Sequence, residues 1–182
     1  LVLQFVSQDL KADREIVLEA VRSDGALLQF ADDSLKRDPE VVITAIKNSS
    51  KAIEYIDDSL RSNREIVLAE LKHNPENLEK ASDSMKGDKE IVLEAIKYEP
   101  TALRFATKSI KADIEIVLEA VKQQGLVLQF AAPNLKANRD IVLEAVKQDG
   151  GALKYAAKHL KSDKEIVLEA VKGDGLVLQF AS

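Results

Sequence analysis

Residues 13–22 read DREIVLEAVR, and this stretch decides the fold because closely related versions of it return six more times along the chain. Successive copies start 25 residues apart, with no insertion or deletion between them. The seven copies begin at Asp13, Asp38, Asn63, Asp88, Asp113, Asn138 and Asp163. Such regular repetition predicts a chain built from one small structural unit used in series.

The spacing of apolar residues within the stretch predicts an α-helix. At 100° per residue, the apolar positions among residues 16–21 form an arc of about 200°, and Glu15, Glu19 and Arg22 form a narrow polar strip. So broad an arc predicts a helix that is covered on more than one side. Asp13 or its Asn equivalent is expected to cap the helix start, and a following glycine or proline, such as Gly25, is expected to end it as a turn residue.

A second apolar segment follows each copy with the same period. In residues 26–33, Leu27, Leu28 and Phe30 lie on one side and the polar residues on the other, which predicts a short amphipathic helix. A turn carrying Leu35 then leads to the next copy, and this leucine is expected to plug the space between successive units. One repeat is therefore predicted to be two helices joined by turns.

A two-helix unit of this size cannot bury its own apolar surface, so it must stack on its neighbours. The predicted fold is an all-α solenoid of seven 25-residue two-helix repeats, stacked as an elongated rod or arc, with residues 1–182 forming a single helical-repeat domain. Residues 1–7, LVLQFVS, nearly match residues 176–182, LVLQFAS, and neither carries a polar capping unit. We expect further repeats of a longer chain, or another subunit, to cover these ends, with end-to-end stacking of copies as the alternative.

Composition narrows the possible partners and surroundings. The chain has 26 Lys and Arg against 31 Asp and Glu, a net charge of −5, which argues against a nucleic-acid partner. No apolar run approaches the ~18 residues of a membrane span, so no membrane insertion is expected. The sequence has no cysteine, which favours an intracellular and cytoplasmic setting.

No set of residues predicts catalysis, a metal site or a cofactor. His73 and His159 lie in different repeats, and the recurring carboxylates Glu15 and Glu19 are expected to form a solvated strip, because acid–base catalysis needs two groups in unlike environments. A basic residue also recurs once per repeat, and this column either attracts an acidic partner or is ordinary solvated surface. Its members are Lys11, Lys36, Arg61, Lys86, Lys111, Lys136 and Lys161.

In the third copy, two charged residues occupy positions that are apolar in the other copies. Glu70 replaces the usual alanine, and Lys80 replaces the usual aromatic residue. Joint burial of opposite charges costs far less than burial of either alone, so we predict a partly buried ion pair between Glu70 and Lys80. The alternative is that each side chain reaches solvent separately through its long stem.

The positions that vary most between copies lie on the outer face of the second segment, and they form the candidate binding surface. Its residues are Glu54, Glu79, Arg104, Lys108, Gln129, Lys154 and Lys158. The charge changes along the chain: residues 1–91 hold 13 basic and 19 acidic side chains, whereas residues 92–182 hold 13 and 12. Such a pattern favours a protein partner, with unselected drift at exposed positions as the alternative.

The repeat as a whole, Leu-x-aromatic-Ala, then Leu-Lys, then Asp-x-Glu-Ile-Val-Leu-Glu-Ala-Val-Lys, resembles a helical repeat family catalogued as a domain of unknown function. The family unit is similar to two such copies, and the resemblance implies a fold without a chemistry. We therefore predict a non-catalytic α-solenoid scaffold or protein-interaction module. The alternative is a regulatory or targeting domain of a larger enzyme whose catalytic part lies outside this chain.

Overall fold

The computed structural model describes residues 3–172 and 175–181, and within these ranges the regular structure is helical, with no β-strand. The predicted all-α repeat architecture is thus confirmed. Contacts divide the chain into two compact units, Leu1–Met85 and Lys86–Ser182. That residues 1–182 form one domain stays a prediction.

One long α-helix forms from each copy of the quoted stretch. In chain order these are α1 (Arg14–Ser23), α2 (Pro39–Asn48), α3 (Arg64–His73), α4 (Lys89–Tyr98), α5 (Ile114–Gln123), α6 (Arg139–Gln148) and α7 (Lys164–Val171). Each begins directly after the residue expected to cap it. The Oδ1 atom of Asn138, for example, accepts hydrogen bonds from the backbone N–H groups of Asp140 and Ile141 at 3.0 and 3.2 Å.

The second segment forms a 3₁₀ helix rather than an α-helix. These helices span Leu3–Phe5, Gly25–Phe30, Ser50–Glu54, Pro75–Lys80, Pro100–Phe105, Gly125–Phe130, Gly150–Tyr155 and Gly175–Phe180. Three to six residues suit the 3₁₀ helix, which proteins use in short pieces. An acidic or Asn side chain caps several of them, as when Asp24 Oδ1 accepts from the N–H of Ala26 at 2.9 Å.

The expected turn between repeats is also helical. One-turn helices occupy Gln8–Lys11, Leu35–Arg37, Asp58–Ser62, Asp83–Lys86, Lys108–Lys111, Pro133–Lys136 and Lys158–Ser162. Their apolar residues are buried in most repeats, as predicted for a plug, although Leu10 in the first is 40 % exposed. Each repeat therefore holds one long α-helix, one 3₁₀ helix and one one-turn helix, instead of two helices and a turn.

The glycines do not have the turn role that the sequence suggests. No described residue, glycine or other, has a positive φ, so none serves as a left-handed helix end. Gly25, Gly125 and Gly150 instead begin 3₁₀ helices, and a Cβ atom on any of them would overlap a backbone carbonyl oxygen in the next long helix. That oxygen belongs to Ala145 in the case of Gly125. Glycine is thus needed here for close packing between repeats.

Within each unit the repeats stack in two layers. Helices α1, α2 and α3 lie side by side in the first unit, and α4 to α7 do so in the second, with the 3₁₀ helices forming the other layer. Fully buried residues such as Ile46, Ile116, Leu128 and Leu153 fill the space between layers. The long helices are covered on more than one side, as predicted, while Leu93 and Leu168 on their outer side are 37 % and 52 % exposed.

A backbone hydrogen bond joins each of the first six one-turn helices to a residue just after the next 3₁₀ helix. The N–H of Asp32 donates to the carbonyl of Lys11 at 2.9 Å, and that of Ala132 donates to the carbonyl of Lys111 at 2.8 Å. We call these bonds the rungs. The same bond recurs between Asp57 and Lys36, Ser82 and Arg61, Thr107 and Lys86, and Ala157 and Lys136. Because both partners are backbone groups, the rungs fix the register of the stack regardless of side chain.

Candidate interaction surface

Five of the candidate binding residues lie on the 3₁₀ helices, whereas Lys108 and Lys158, expected on the same segment, instead begin the one-turn helices that follow. Glu54, Glu79, Arg104, Lys108, Lys154 and Lys158 are exposed. Gln129 is half-buried, and its backbone carbonyl is bound by a lysine. The structure places Glu54 and Glu79 in the first unit and the other five in the second, so they are treated as two separate surfaces.

The surface of the second unit is basic. We define the basic face as Arg104, Lys108, Lys154 and Lys158, which come from two 3₁₀ helices and the one-turn helices that follow them. The Arg104 guanidinium carbon lies 4.5 Å from the centre of the Phe105 ring, and the Lys154 Nζ atom lies 4.7 Å from that of Tyr155. These cation–π contacts hold charged groups over half-exposed aromatic rings and so present charge beside an apolar surface.

The basic column predicted from the sequence has a structural task in the second unit. The Nζ atoms of Lys111, Lys136 and Lys161 donate to the backbone carbonyls of Arg104, Gln129 and Lys154 at 2.5, 2.6 and 2.8 Å. Each lysine thereby satisfies an otherwise open carbonyl near the end of a 3₁₀ helix. Partial burial lowers the pKa of Lys111. Neither alternative considered for the column, an anion site or plain solvation, describes this role.

The ion pair predicted for the third repeat has a different partner in the structure. The Glu70 side chain is buried, and its Oε1 atom accepts a hydrogen bond from Arg61 Nη1 at 2.7 Å. Lys80 is exposed and is not the ion-pair partner of Glu70. The predicted ion pair between Glu70 and Lys80 is therefore wrong, because Arg61 is the cation that pairs with Glu70. The available signal was Arg61 itself, the one arginine in a column otherwise made of lysines.

The environment of Glu70 is costly for a carboxylate. Its Oε2 atom and the Nε atom of Arg61 are buried without a hydrogen-bond partner. Burial raises the pKa of Glu70, even though the nearby charges of Arg61 and Lys80 act in the opposite direction. Arg61 also lies near the exposed Asp58, whose Oδ1 atom is 3.5 Å from Nε. In this cluster a buried ion pair takes the place of the usual alanine contact in the core, and it offers no open cleft to a substrate.

Side-chain ion pairs between neighbouring long helices were missed by the sequence analysis. Arg14 in α1 binds the next cap, Asp38, at 2.8 Å and also pairs with Glu40. Arg139 in α6 makes the same two contacts with Asp163 and Glu165. The Arg14 hydrogen bond is the main cause that lowers the pKa of Asp38. The signal was a basic residue at the first helical position, which recurs in most copies.

No metal or membrane site is found in the parts of the chain that are described. Among residues 3–172 and 175–181, no group of three or more His, Asp or Glu side chains is placed to hold a metal ion. No helix there has the length and apolarity to cross a membrane. Among the described residues, one open groove lies between α4 and α5 beside Leu93 and Glu119.

Comparison with known proteins identifies the family of this chain. No curated protein and no solved structure matches the chain. One family model matches repeatedly, over residues 1–36, 13–61, 38–86, 63–111, 88–136 and 138–182, and most of these matches span two repeats, as the resemblance implied. The four matches that begin at residues 13, 38, 63 and 88 start one repeat apart, and the six together cover every residue except 137. The chain belongs to the family described as a domain of unknown function (DUF4116).

Proposed function

We propose that this chain is a non-catalytic repeat scaffold that binds a partner protein through the exposed side chains of its 3₁₀ layer. One observation carries the proposal: the side chains that pack recur from repeat to repeat, whereas those that project from the 3₁₀ helices differ in charge. Leu103, Leu128 and Leu153 are all fully buried at equivalent positions. The residues directly after them are Arg104, Gln129 and Lys154.

The framework is suited to such a role because its backbone is fixed independently of these projecting residues. Rungs, together with caps or close glycine contacts in several repeats, hold the 3₁₀ helices in register. A change of a projecting side chain therefore alters the surface without disturbing the fold. A preorganised surface loses little conformational entropy on binding, which favours affinity for a given contact area.

The test is recovery of a companion by the native full-length protein, carried out with surface variants. In one variant, Arg104, Lys108, Lys154 and Lys158 are all changed to glutamine. In the matched control, Lys97, Lys122, Lys147 and Lys172 on the long-helix layer are changed in the same way. A third variant neutralises Glu54 and Glu79 of the first unit.

We expect a companion at fixed ratio to be retained by the long-helix control and lost by at least one of the two 3₁₀-layer variants. Circular dichroism should show the same helix content in all of them, because the altered side chains are exposed. Equal recovery of the same companions by every variant would contradict the proposal. So would the absence of any companion at a reproducible ratio.

A further inference from the structure

Charge in the second unit is segregated between its two layers. Residues 100–112, 125–138 and 150–162, which form three 3₁₀ helices and the one-turn helices after them, contain seven Lys or Arg residues and no Asp or Glu. The rest of residues 86–182 contains eight Lys or Arg residues and 14 Asp or Glu residues. Glu99 and Asp149 cap two of these 3₁₀ helices from the residue before each, so these segments and their caps carry seven cations against two carboxylates, although the chain as a whole has a net charge of −5.

The seven cations divide into structural and exposed groups. Lys111, Lys136 and Lys161 bind backbone carbonyls, as described above. The other four form the basic face. In the described part of the chain no carboxylate is found within ion-pair distance of Lys108, Lys154 or Lys158, and the Lys154 ammonium group lies over the Tyr155 ring. The fourth, Arg104, stacks on Phe105.

The basic face consists of two pairs with an uncharged gap between them. Arg104 and Lys108 belong to one repeat, and Lys154 and Lys158 belong to the repeat two positions later. The repeat between them presents the half-buried ring of Phe130 and the exposed Pro133 at this surface. Neighbouring helices lie about 8–10 Å apart, so the two pairs are separated by roughly 16–20 Å.

From this pattern we propose that the basic face binds an extended acidic peptide segment of a partner protein, with two acidic clusters on either side of a short apolar stretch. This inference rests on the proposed function. An extended chain advances about 3.3 Å per residue, so roughly five or six residues separate the acidic clusters. The apolar stretch lies over Phe130 and Pro133, and carboxylates at each end meet one cationic pair.

A protein ligand fits this face better than a nucleic acid does. A nucleic-acid strand carries evenly spaced phosphates, and some of them would lie over the middle repeat, where no exposed cation is available. The negative charge of the whole chain also disfavours the approach of a long polyanion. An acidic peptide with an interrupted charge pattern has neither difficulty.

The test measures binding of fluorescein-labelled peptides to the purified full chain by fluorescence anisotropy. The first peptide has two runs of three glutamates separated by five apolar residues, and the second has the same composition with all six glutamates adjacent. Oligothymidylate serves as the nucleic-acid probe. The protein variants are Arg104→Gln with Lys108→Gln, Lys154→Gln with Lys158→Gln, and the long-helix control Lys122→Gln with Lys147→Gln.

We expect the interrupted peptide to bind more tightly than the other two probes. Loss of either cationic pair should weaken it about fivefold to tenfold, while the control changes it by less than about twofold. Equal binding of both peptides, tighter binding of oligothymidylate, or equal effects of basic-face and control variants would overturn the inference. If the peptide fails while a native companion is still lost on neutralising the basic face, the scaffold role stands and only the acidic segment is refuted.

Discussion

Removal of the Arg61 guanidinium is expected to destabilise the protein by about 3–5 kcal/mol, because it leaves a buried carboxylate without its charge partner. Glu70 is 1 % exposed and Arg61 is 14 % exposed, so neither group can turn to water without moving the surrounding helices. The variant Arg61→Met keeps an apolar stem and removes the charge, the hydrogen bond to Glu70 and the contact with the exposed Asp58.

Restoring the residues found in other repeats should reverse this loss. The triple variant Arg61→Lys, Glu70→Ala and Lys80→Phe reproduces the combination of Lys11, Ala20 and Phe30 in the first copy. Replacing a buried ion pair with well-packed apolar residues is often neutral or stabilising by about 1–4 kcal/mol. We therefore expect the triple variant to be at least as stable as the wild type.

The pH dependence supplies a second signature of the same pair. The folded-state pKa of Glu70 is raised above its ordinary value of 4.5. The stabilising contribution of this shift to the free energy of unfolding is therefore complete below pH 4.5 and is lost as the pH rises through the raised pKa. The difference in free energy of unfolding between wild type and Glu70→Gln should change in this window. Asp38 and Asp113 behave oppositely, since their lowered pKa values give stability that is lost as the pH falls.

The assay is urea unfolding followed by circular dichroism between pH 4 and pH 8, with the denaturant slope compared between variants to check that unfolding stays two-state. Arg14→Met serves as the control, because its ion pair with Asp38 is exposed and should contribute far less. A cost below about 1 kcal/mol for Arg61→Met would refute the reasoning, since that value is typical of an exposed pair. A pH-independent difference for Glu70→Gln would refute it as well.

Two further predictions concern packing and capping, and both are checked by the same unfolding assay. Gly125→Ala should lower the free energy of unfolding by about 1–3 kcal/mol, because the new Cβ overlaps the Ala145 carbonyl. Gly175 stands at the same repeat position with open space around it, so Gly175→Ala should not destabilise the protein. Equal effects of the two substitutions would contradict the packing role. Asn138→Ala should cost about 1 kcal/mol by removing the cap of α6, while Asn138→Asp should retain stability, and a cost shared by both would show that capping is not the cause.

The long helices could be predicted from the sequence because their signals are local. A cap such as Asp113 and the apolar period behind it lie within one ten-residue stretch, and the structure places α5 directly after that cap. Exposure of most candidate binding residues followed in the same way, from their position opposite the apolar side of a short segment. That a partner protein binds there stays a prediction.

Features that depend on a neighbouring repeat could not be predicted in this way. The pattern around Gly125 looks like a turn, and only the position of Ala145 in the next repeat shows why a side chain is excluded. The partner of Glu70 was misassigned because the sequence analysis considered only Lys80, whereas the fold brings Arg61, a member of the basic column, within hydrogen-bond distance of Glu70. The rungs join backbone groups and leave no trace in residue type.

The rungs also constrain how this chain can change in length. Each one joins a residue to another that stands 21 positions earlier, as with Asp32 and Lys11. Duplication or loss of a whole repeat leaves that offset unchanged at every junction, whereas inserting a single residue between two partners shifts one of them out of place. Gain or loss of whole repeats is therefore the change in length that keeps every rung in place. The seven tandem copies, with no insertion or deletion between them, fit this constraint.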